Sequence, residues 1–347
     1  MGTQRGILTA VIFLFLVFHI PAGEGEYRDV EDFLSKGELE LQWNPYLKIG
    51  VFRMGYSVVS FRVDDPWVVV NYAKKVRIDP IVEKDGSLQL TRKAEDVILT
   101  SLVGTREGGP RVAAIFIDPG HGGKDPGTIG RHTIGGETLE LKEKDIVLKT
   151  SLLLADLLKK KFPDKQVILS RSDDRYLSLE ERTEMANSIA VNPEDAVIYV
   201  SIHVNASLNP YARGFEVWYL PPQYRRNLID GDRVETENQE IVPILNSMLE
   251  EEYTIESILL AKHILDSLQE SVGSVSENRG LKEETWFVVR KAKMPSVLVE
   301  VGFITNEEEA KLLNQTPYLQ KIAQAIYNGI VRFIGTIDRP IQRSNHG

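Results

Sequence analysis

The 347-residue chain contains no cysteine. Disulfides, cysteine zinc fingers, iron–sulfur clusters and thiol nucleophiles are all excluded, so any metal must be held by histidine, aspartate or glutamate. Positive charge is also short. With 41 Lys+Arg against 50 Asp+Glu, the net charge is −9. This argues against a nucleic-acid binder, which would carry a basic patch. No helical H-E-x-x-H, no G-x-S-x-G elbow and no G-x-x-x-x-G-K loop occurs, so the usual zinc-protease, serine-hydrolase and P-loop signals are missing. The glycine-rich stretch Gly122 to Gly130 lacks dinucleotide-fingerprint spacing. What is present is 42% hydrophobic and 26% charged residues, enough for a packed core. The length suggests about two domains.

The first residues read as a processing signal. Arg5 precedes the apolar run Ile7 to Ile20, and Pro21, Ala22, Gly23 and Gly25 follow. A basic start, a short apolar stretch and a small-residue exit describe a secretory signal peptide, assigned here to 1–25. An uncleaved anchor is the alternative, but the run is shorter than the roughly 20 residues a spanning helix needs. The expected mature protein is exported to a periplasm or cell-wall compartment, with no membrane span after cleavage. Cleavage removes Arg5 and Glu24 together, so the charge of −9 is kept.

Residues 26–108 read as a small β-rich accessory domain. Its strand candidates are Leu47 to Phe52, Ser57 to Val63, Trp67 to Asn71 and Ser87 to Thr91, with an Asp64-Asp65-Pro66 turn. Few polar groups converge there, so its expected role is binding or support. Gly104 to Pro110 reads as a linker, 109–337 as the catalytic domain and 338–347 as a tail. In the second domain, near-continuous apolar runs suit strands buried on both faces: 112–117, Gln166 to Leu169, Ala196 to Ile202, Gly214 to Leu220, Trp286 to Arg290 and Ser296 to Val301. Helical periodicity lies between them. It includes a leucine-rich face over Lys144 to Lys160, a capping-box spacing at Ser178 to Glu181, and the three-and-four stepping of Leu319, Ile322, Ile326, Ile330 and Phe333. The alternation predicts an α/β fold with a mainly parallel or mixed sheet flanked by helices. Such sheets carry their chemistry at the carboxyl ends of strands.

Three strand ends fit that rule: Asp118-Pro119-Gly120-His121-Gly122-Gly123, Ser201-Ile202-His203-Val204-Asn205 and Leu298-Val299-Glu300-Val301-Gly302. Taken singly, each histidine has an ordinary reading as a satisfied polar residue, and Glu300 as half of a buried ion pair. Buried carboxylates are otherwise rare unless paired or metal-bound. Together, two histidines and carboxylates are the set a catalytic zinc uses when cysteine is absent.

Six segments in order complete the pattern. They are 115–130 (IFIDPGHGGKDPGTIG), 142–149 (KEKDIVLK), 167–187 (VILSRSDDRYLSLEERTEMAN), 197–207 (VIYVSIHVNAS), 214–220 (GFEVWYL) and 294–313 (MPSVLVEVGFITNEEEAKLL). Over these, residues 112–334 resemble the zinc-dependent N-acetylmuramoyl-L-alanine amidases of bacterial cell walls, the class-3 amidase family. The resemblance implies one zinc ion held by His121, Glu143 and His203, and Glu300 as the catalytic acid/base. It implies hydrolysis of the amide between N-acetylmuramic acid and L-alanine in peptidoglycan, in wall remodelling or daughter-cell separation. Glu300 would take a proton from the attacking water and deliver it to the leaving nitrogen. One departure is the spacing: His121 and Glu143 lie 22 residues apart, longer than usual in the family. The extra residues, around Thr133 to Leu141, include Glu137 and Glu140, which read as part of a longer solvated loop. His132 and His263 match no motif, and His263 reads as a surface helix residue.

The segment 221–255 is longer than catalysis needs. Ile241, Ile244, Leu245, Met248 and Leu249 make an amphipathic stripe before Glu250, Glu251 and Glu252. It reads either as an ordinary surface insertion or, by resemblance, as an autoinhibitory helix over 236–253. That helix would offer one of the three glutamates to the zinc until an activator protein displaces it. Two further readings stay open: a zinc hydrolase of another peptidoglycan amide or peptide bond, and a non-catalytic wall-binding protein.

Overall fold

A computed structural model describes residues 26–35, 39–54, 57–71, 74–103, 111–192, 195–228 and 242–338. The signal-peptide reading, the linker and all of the tail beyond 338 lie outside the described residues.

The N-terminal region is built around its own core. Strands β1 (Tyr27–Asp29), β7 (Val82–Lys84) and β8 (Ser87–Thr91) form a three-stranded sheet in the order β1-β8-β7. Strands β2 (Glu40–Asn44), β3 (Ile49–Met54), β4 (Ser57–Arg62), β5 (Trp67–Val70) and β6 (Lys74–Arg77) form a five-stranded antiparallel meander. Helices α1 (Val30–Leu34) and α2 (Arg92–Val103) accompany them; neither helix is among the sequence expectations. Phe33, Phe52, Phe61, Ile81, Leu90 and Ile98 pack in its centre.

The larger region is a mixed α/β sheet in the order β12-β9-β13-β16-β14-β15. Its strands are β9 (Val112–Pro119), β12 (Gln166–Leu169), β13 (Ala196–Asn205), β14 (Phe215–Tyr219), β15 (Asn278–Glu283) and β16 (Ser296–Phe303). The first four in that order run parallel, while β14 runs antiparallel to β16 and parallel to β15. All eight residues of β9 are buried, as a strand covered on both faces requires. Helices α3 (Glu143–Lys161), α5 (Val242–Val272) and α8 (Thr316–Ile337) pack into one core with the sheet. On α8 the predicted stripe Leu319, Ile322, Ile326, Ile330 and Phe333 is fully buried. Each such side chain contributes roughly 1.5–3 kcal/mol of gross transfer energy. Helix α4 (Leu179–Asn187) begins with the expected capping box, Ser178 and Glu181 exchanging hydrogen bonds.

Three expectations are corrected. Trp286 to Arg290, read as a strand, is the N-cap and body of a short helix, α6 (Phe287–Lys291); a five-residue apolar run does not distinguish the two by periodicity. The extra residues before Glu143 are not a loop but a hairpin. Strands β10 (Ile129–Ile134) and β11 (Glu137–Lys142) meet at Gly135-Gly136, both at positive φ as a tight hairpin turn demands. The described part of the 221–255 insertion is not a separate helix either. Its residues from Val242 on are the first turns of α5, which runs 31 residues without a break. No glycine interrupts it before Gly273, Pro243 sits in the first turn where its missing N–H costs nothing, and glutamates favour helix. Met248 of this helix packs on Val51 and Val58 of the N-terminal meander.

Candidate active site

Strands β9, β13 and β16 are adjacent and parallel, so the three chemistry-bearing strand ends meet. Just past β9, His121 takes a left-handed backbone, φ +57°. A non-glycine residue there is strained and must be held by its surroundings. Two buried arginines hold it. Arg182 donates to the carbonyls of Pro119 (2.8 Å) and His121 (2.7 Å), and Arg171 donates to those of Pro119 (3.0 Å) and Gly120 (2.7 Å). Gly120 is required by close approach, since a Cβ there would lie 2.3 Å from Cε1 of His203. Asp125 Oδ2 lies 2.8 Å from Nδ1 of His121, which leaves Nε2 facing Glu143 Oε1 at 3.2 Å.

Glu143 is the first residue of α3, where the helix dipole favours a carboxylate. Its Oε2 accepts the Thr128 N–H (2.9 Å), and its Oε1 accepts the Val204 N–H (3.0 Å) and faces Nδ1 of His203 (3.0 Å). Burial alone would raise its carboxyl. The hydrogen bonds and attraction of His121 and His203 outweigh burial and hold it far below the ordinary range. In return, Glu143 and Asp125 lift the His121 imidazole against the opposing pull of burial.

Glu300 lies opposite His203 in the β13–β16 register and opposite Glu216 in the β14–β16 register. Its Oε2 is buried without a hydrogen-bond partner. Burial first, then the charges of Glu143 and Glu216, push its carboxyl well above the ordinary range. Glu216 is itself bound by Asn205 and Arg279.

His121, Glu143 and His203 offer ligand atoms all within 4.8 Å of one another. The pairwise separations of 3.0 and 3.2 Å are close to the edge of a tetrahedron with bonds of about 2.0–2.1 Å, roughly 3.3 Å. Two imidazoles, one carboxylate and no sulfur suit a zinc ion with one open coordination position. The orphaned Oε2 of Glu300 adds a buried polar atom awaiting a partner beside that cluster. A cavity of about 160 Å³ adjoins it, lined by His121, His203, Asp125 and an apolar wall.

Residues 115–332 match the family model described as N-acetylmuramoyl-L-alanine amidase, more than half of the chain. The chain belongs to the N-acetylmuramoyl-L-alanine amidase family. A probable amidase of this name from Haemophilus influenzae, AmiB, is 34% identical over 237 residues, covering 63% of this chain and 51% of that protein. The amidase AmiA of Escherichia coli is 31% identical over 248 residues, covering 67% of this chain and 79% of that one. The chain thus aligns with only about half the length of the Haemophilus relative. Among solved structures, the amidase AmiC2 of Nostoc punctiforme is similar with a TM-score of 0.48 and 28% identity, covering 66% of this chain and 99% of that one. The expected family and the expected enzyme class, a hydrolase, are both borne out.

Of the other predicted residues, Glu137 is exposed near the hairpin turn and Glu140 pairs with Arg131. His132 bonds the Ile304 carbonyl, and His263 is a partly exposed residue of α5. The three glutamates given an autoinhibitory role are not with the cluster. Glu250 is fully buried in an ion pair with Arg226 (2.7 Å), Glu251 is exposed, and Glu252 neighbours Glu256 and Tyr253. Arg226 also donates to the Ala292 carbonyl (2.7 Å), tying α5 to the end of α6.

Sequence reasoning missed the support beneath His121. Asp118 is buried and accepts from Ser170 (2.5 Å), Arg182 (2.6 Å), Tyr199 (2.6 Å) and Ser201 (3.2 Å). Burial opposes its charge, but Arg182 and these donors win, and its carboxyl is held below the ordinary range. One available signal was charge inside apolar surroundings: Asp118 is the last residue but one of a fully buried strand, and Arg182 lies on the buried side of α4 with Ala186.

Proposed function

We propose that the protein hydrolyses the amide between N-acetylmuramic acid and L-alanine in peptidoglycan, with zinc held by His121, Glu143 and His203. The observation that carries this reading is the convergence of those three with Glu300, whose buried Oε2 has no hydrogen-bond partner. A zinc ion there would polarise the scissile carbonyl and acidify a water molecule. The chain does the rest. Asp125 fixes the His121 ring so that Nε2 faces the centre, and the Thr128 and Val204 amides fix the Glu143 carboxylate. Glu300 takes the proton of the attacking water on its carboxylate and passes it to the departing alanine nitrogen. An amine needs that proton to leave.

The same reading places the protein outside the cytoplasm, in wall remodelling or daughter-cell separation. No helix among the described residues is long and apolar enough to cross a membrane. The N-terminal meander would support or anchor the enzyme. An activator acting on 236–253 would work through the Arg226–Glu250 pair, not by pulling a carboxylate off the cluster.

Purified protein, loaded with zinc, is incubated with sacculi and the products are separated. Stem peptides bearing a free L-alanine amine are the expected result. Split stem peptides would point to another bond, and unchanged sacculi to a wall-binding protein. Alanine at His121, Glu143 or His203 should lose bound zinc by elemental analysis.

A further inference from the structure

The cavity beside the cluster is lined by two kinds of group: the polar side chains of His121, His203 and Asp125, and an apolar wall of Leu177, Leu179, Trp286, Phe287 and Val288. Three large hydrophobic side chains that line it are left exposed: Tyr176 (43%), Leu179 (49%) and Trp286 (44%). Exposed apolar surface concentrated at a cleft marks a binding face. Lys124 already lies over the Tyr176 ring, 4.3 Å from its centroid. Trp286 is differently placed. It is fixed at the N-cap of α6 and braced edge to face by Trp218, with centroids 5.9 Å apart at 81°.

The lining also says what the wall does not take. Its one cation outside the histidines is Arg182, which is buried and committed to Asp118 and to the carbonyls of Pro119 and His121. A carboxylate-bearing peptide stem lying on this wall would lose hydration while the cation of the lining is already committed to other partners. A pyranose has no charge, offers apolar C–H faces to an indole, and turns hydroxyl and acetamido groups outward. Asp125, whose side chain is 43% exposed, stands at the same cavity as an acceptor for them.

We propose that the wall formed by Trp286 and Leu179 is the subsite for the N-acetylmuramoyl ring, so that the glycan side of the scissile amide lies on this wall and the stem leaves away from it. This rests on the amidase reading above and gives that site its orientation.

Two substrates sharing the scissile amide separate the roles: N-acetylmuramoyl-L-alanyl-D-isoglutamine, and the same dipeptide capped by lactic acid alone. In Trp286→Ala, the kcat/KM ratio of sugar-bearing to sugar-free substrate should fall about tenfold. Trp286→Phe should keep most of the ratio, and Trp67→Ala, an exposed tryptophan of the N-terminal meander, should not change it. Equilibrium titration with the peptide-free N-acetylglucosamine–N-acetylmuramic acid disaccharide should show about tenfold weaker binding to Trp286→Ala. An unchanged ratio with unchanged disaccharide binding would overturn the subsite, as would a loss of kcat/KM confined to the sugar-free lactyl dipeptide. Failure of the amidase reading looks different: zinc-loaded wild-type protein would release no L-alanine amine from sacculi, whatever the disaccharide titration shows.

Discussion

Arg182→Met tests how the left-handed turn at His121 is maintained. Arg182 is 2% exposed and Asp118 fully buried, and they meet at 2.6 Å. Removing one partner of such a pair leaves a buried charge uncompensated, at a cost of about 3–5 kcal/mol. Asp118 keeps its bonds from Ser170, Tyr199 and Ser201, which puts the expected loss near the lower end, about 3 kcal/mol. Adding Asp118→Asn removes the stranded charge and keeps one carbonyl oxygen, an acceptor for Tyr199 or for Ser170 but not for both, since they donate to different oxygens of Asp118. The double variant should therefore recover part of the loss, with a coupling of about 1–3 kcal/mol. Metal affinity should not recover, because the His121 carbonyl has lost its arginine donor in both variants and the Pro119 carbonyl keeps only that of Arg171. Disturbing a group that orients a ligand costs about 10–100-fold in affinity. Urea denaturation followed by tryptophan fluorescence gives the first quantity, and zinc competition with a chromophoric chelator gives the second. A single variant destabilised by less than about 1 kcal/mol, or one with wild-type zinc affinity, would refute the reasoning.

Glu300→Gln should retain bound zinc and lose turnover; an active, zinc-loaded variant would remove Glu300 from the proton transfer. Glu256, 5% exposed on α5, has its carboxyl raised to about 8 by burial and then by Glu252. The folded state thus holds a proton that the unfolded chain has already released, so stability falls as pH rises from about 4.5 to about 8. Glu256→Gln should flatten that fall and gain on the order of 2–4 kcal/mol at pH 8 relative to pH 4.5, measured by denaturation at both pH values. Arg226→Met should cost about 3–5 kcal/mol by stranding Glu250. For the same reason, deletion of 236–253 should lower thermal stability, and a deletion as stable as wild type would show that this pair holds nothing.

Much of the architecture is legible along the chain because the forces that make it are local or periodic. A zero cysteine count confines any metal to nitrogen and oxygen ligands, and the two histidines stand at the carboxyl ends of strands whose apolar runs announce themselves. The stripe on α8 and the capping box on α4 are set by residues three and four apart. Other features were decided only by neighbours distant in sequence. Val288 and Val289 read as strand, yet packing in the core with Phe116, Tyr199 and Leu298 makes them helix. The glutamates 250–252 share one composition, but the placement of Arg226 buries Glu250 and leaves Glu251 in solvent. Glu143 is distinguished from Glu137 and Glu140 in the same way, because the hairpin folds those two outward and returns the chain to the start of α3. Sequence alone determined which chemical groups the site had to use. Tertiary structure decided which copies of them meet, and it decided the Asp118–Arg182 support, since burial and the pairing of charges depend on what surrounds a side chain and not on its place in the chain.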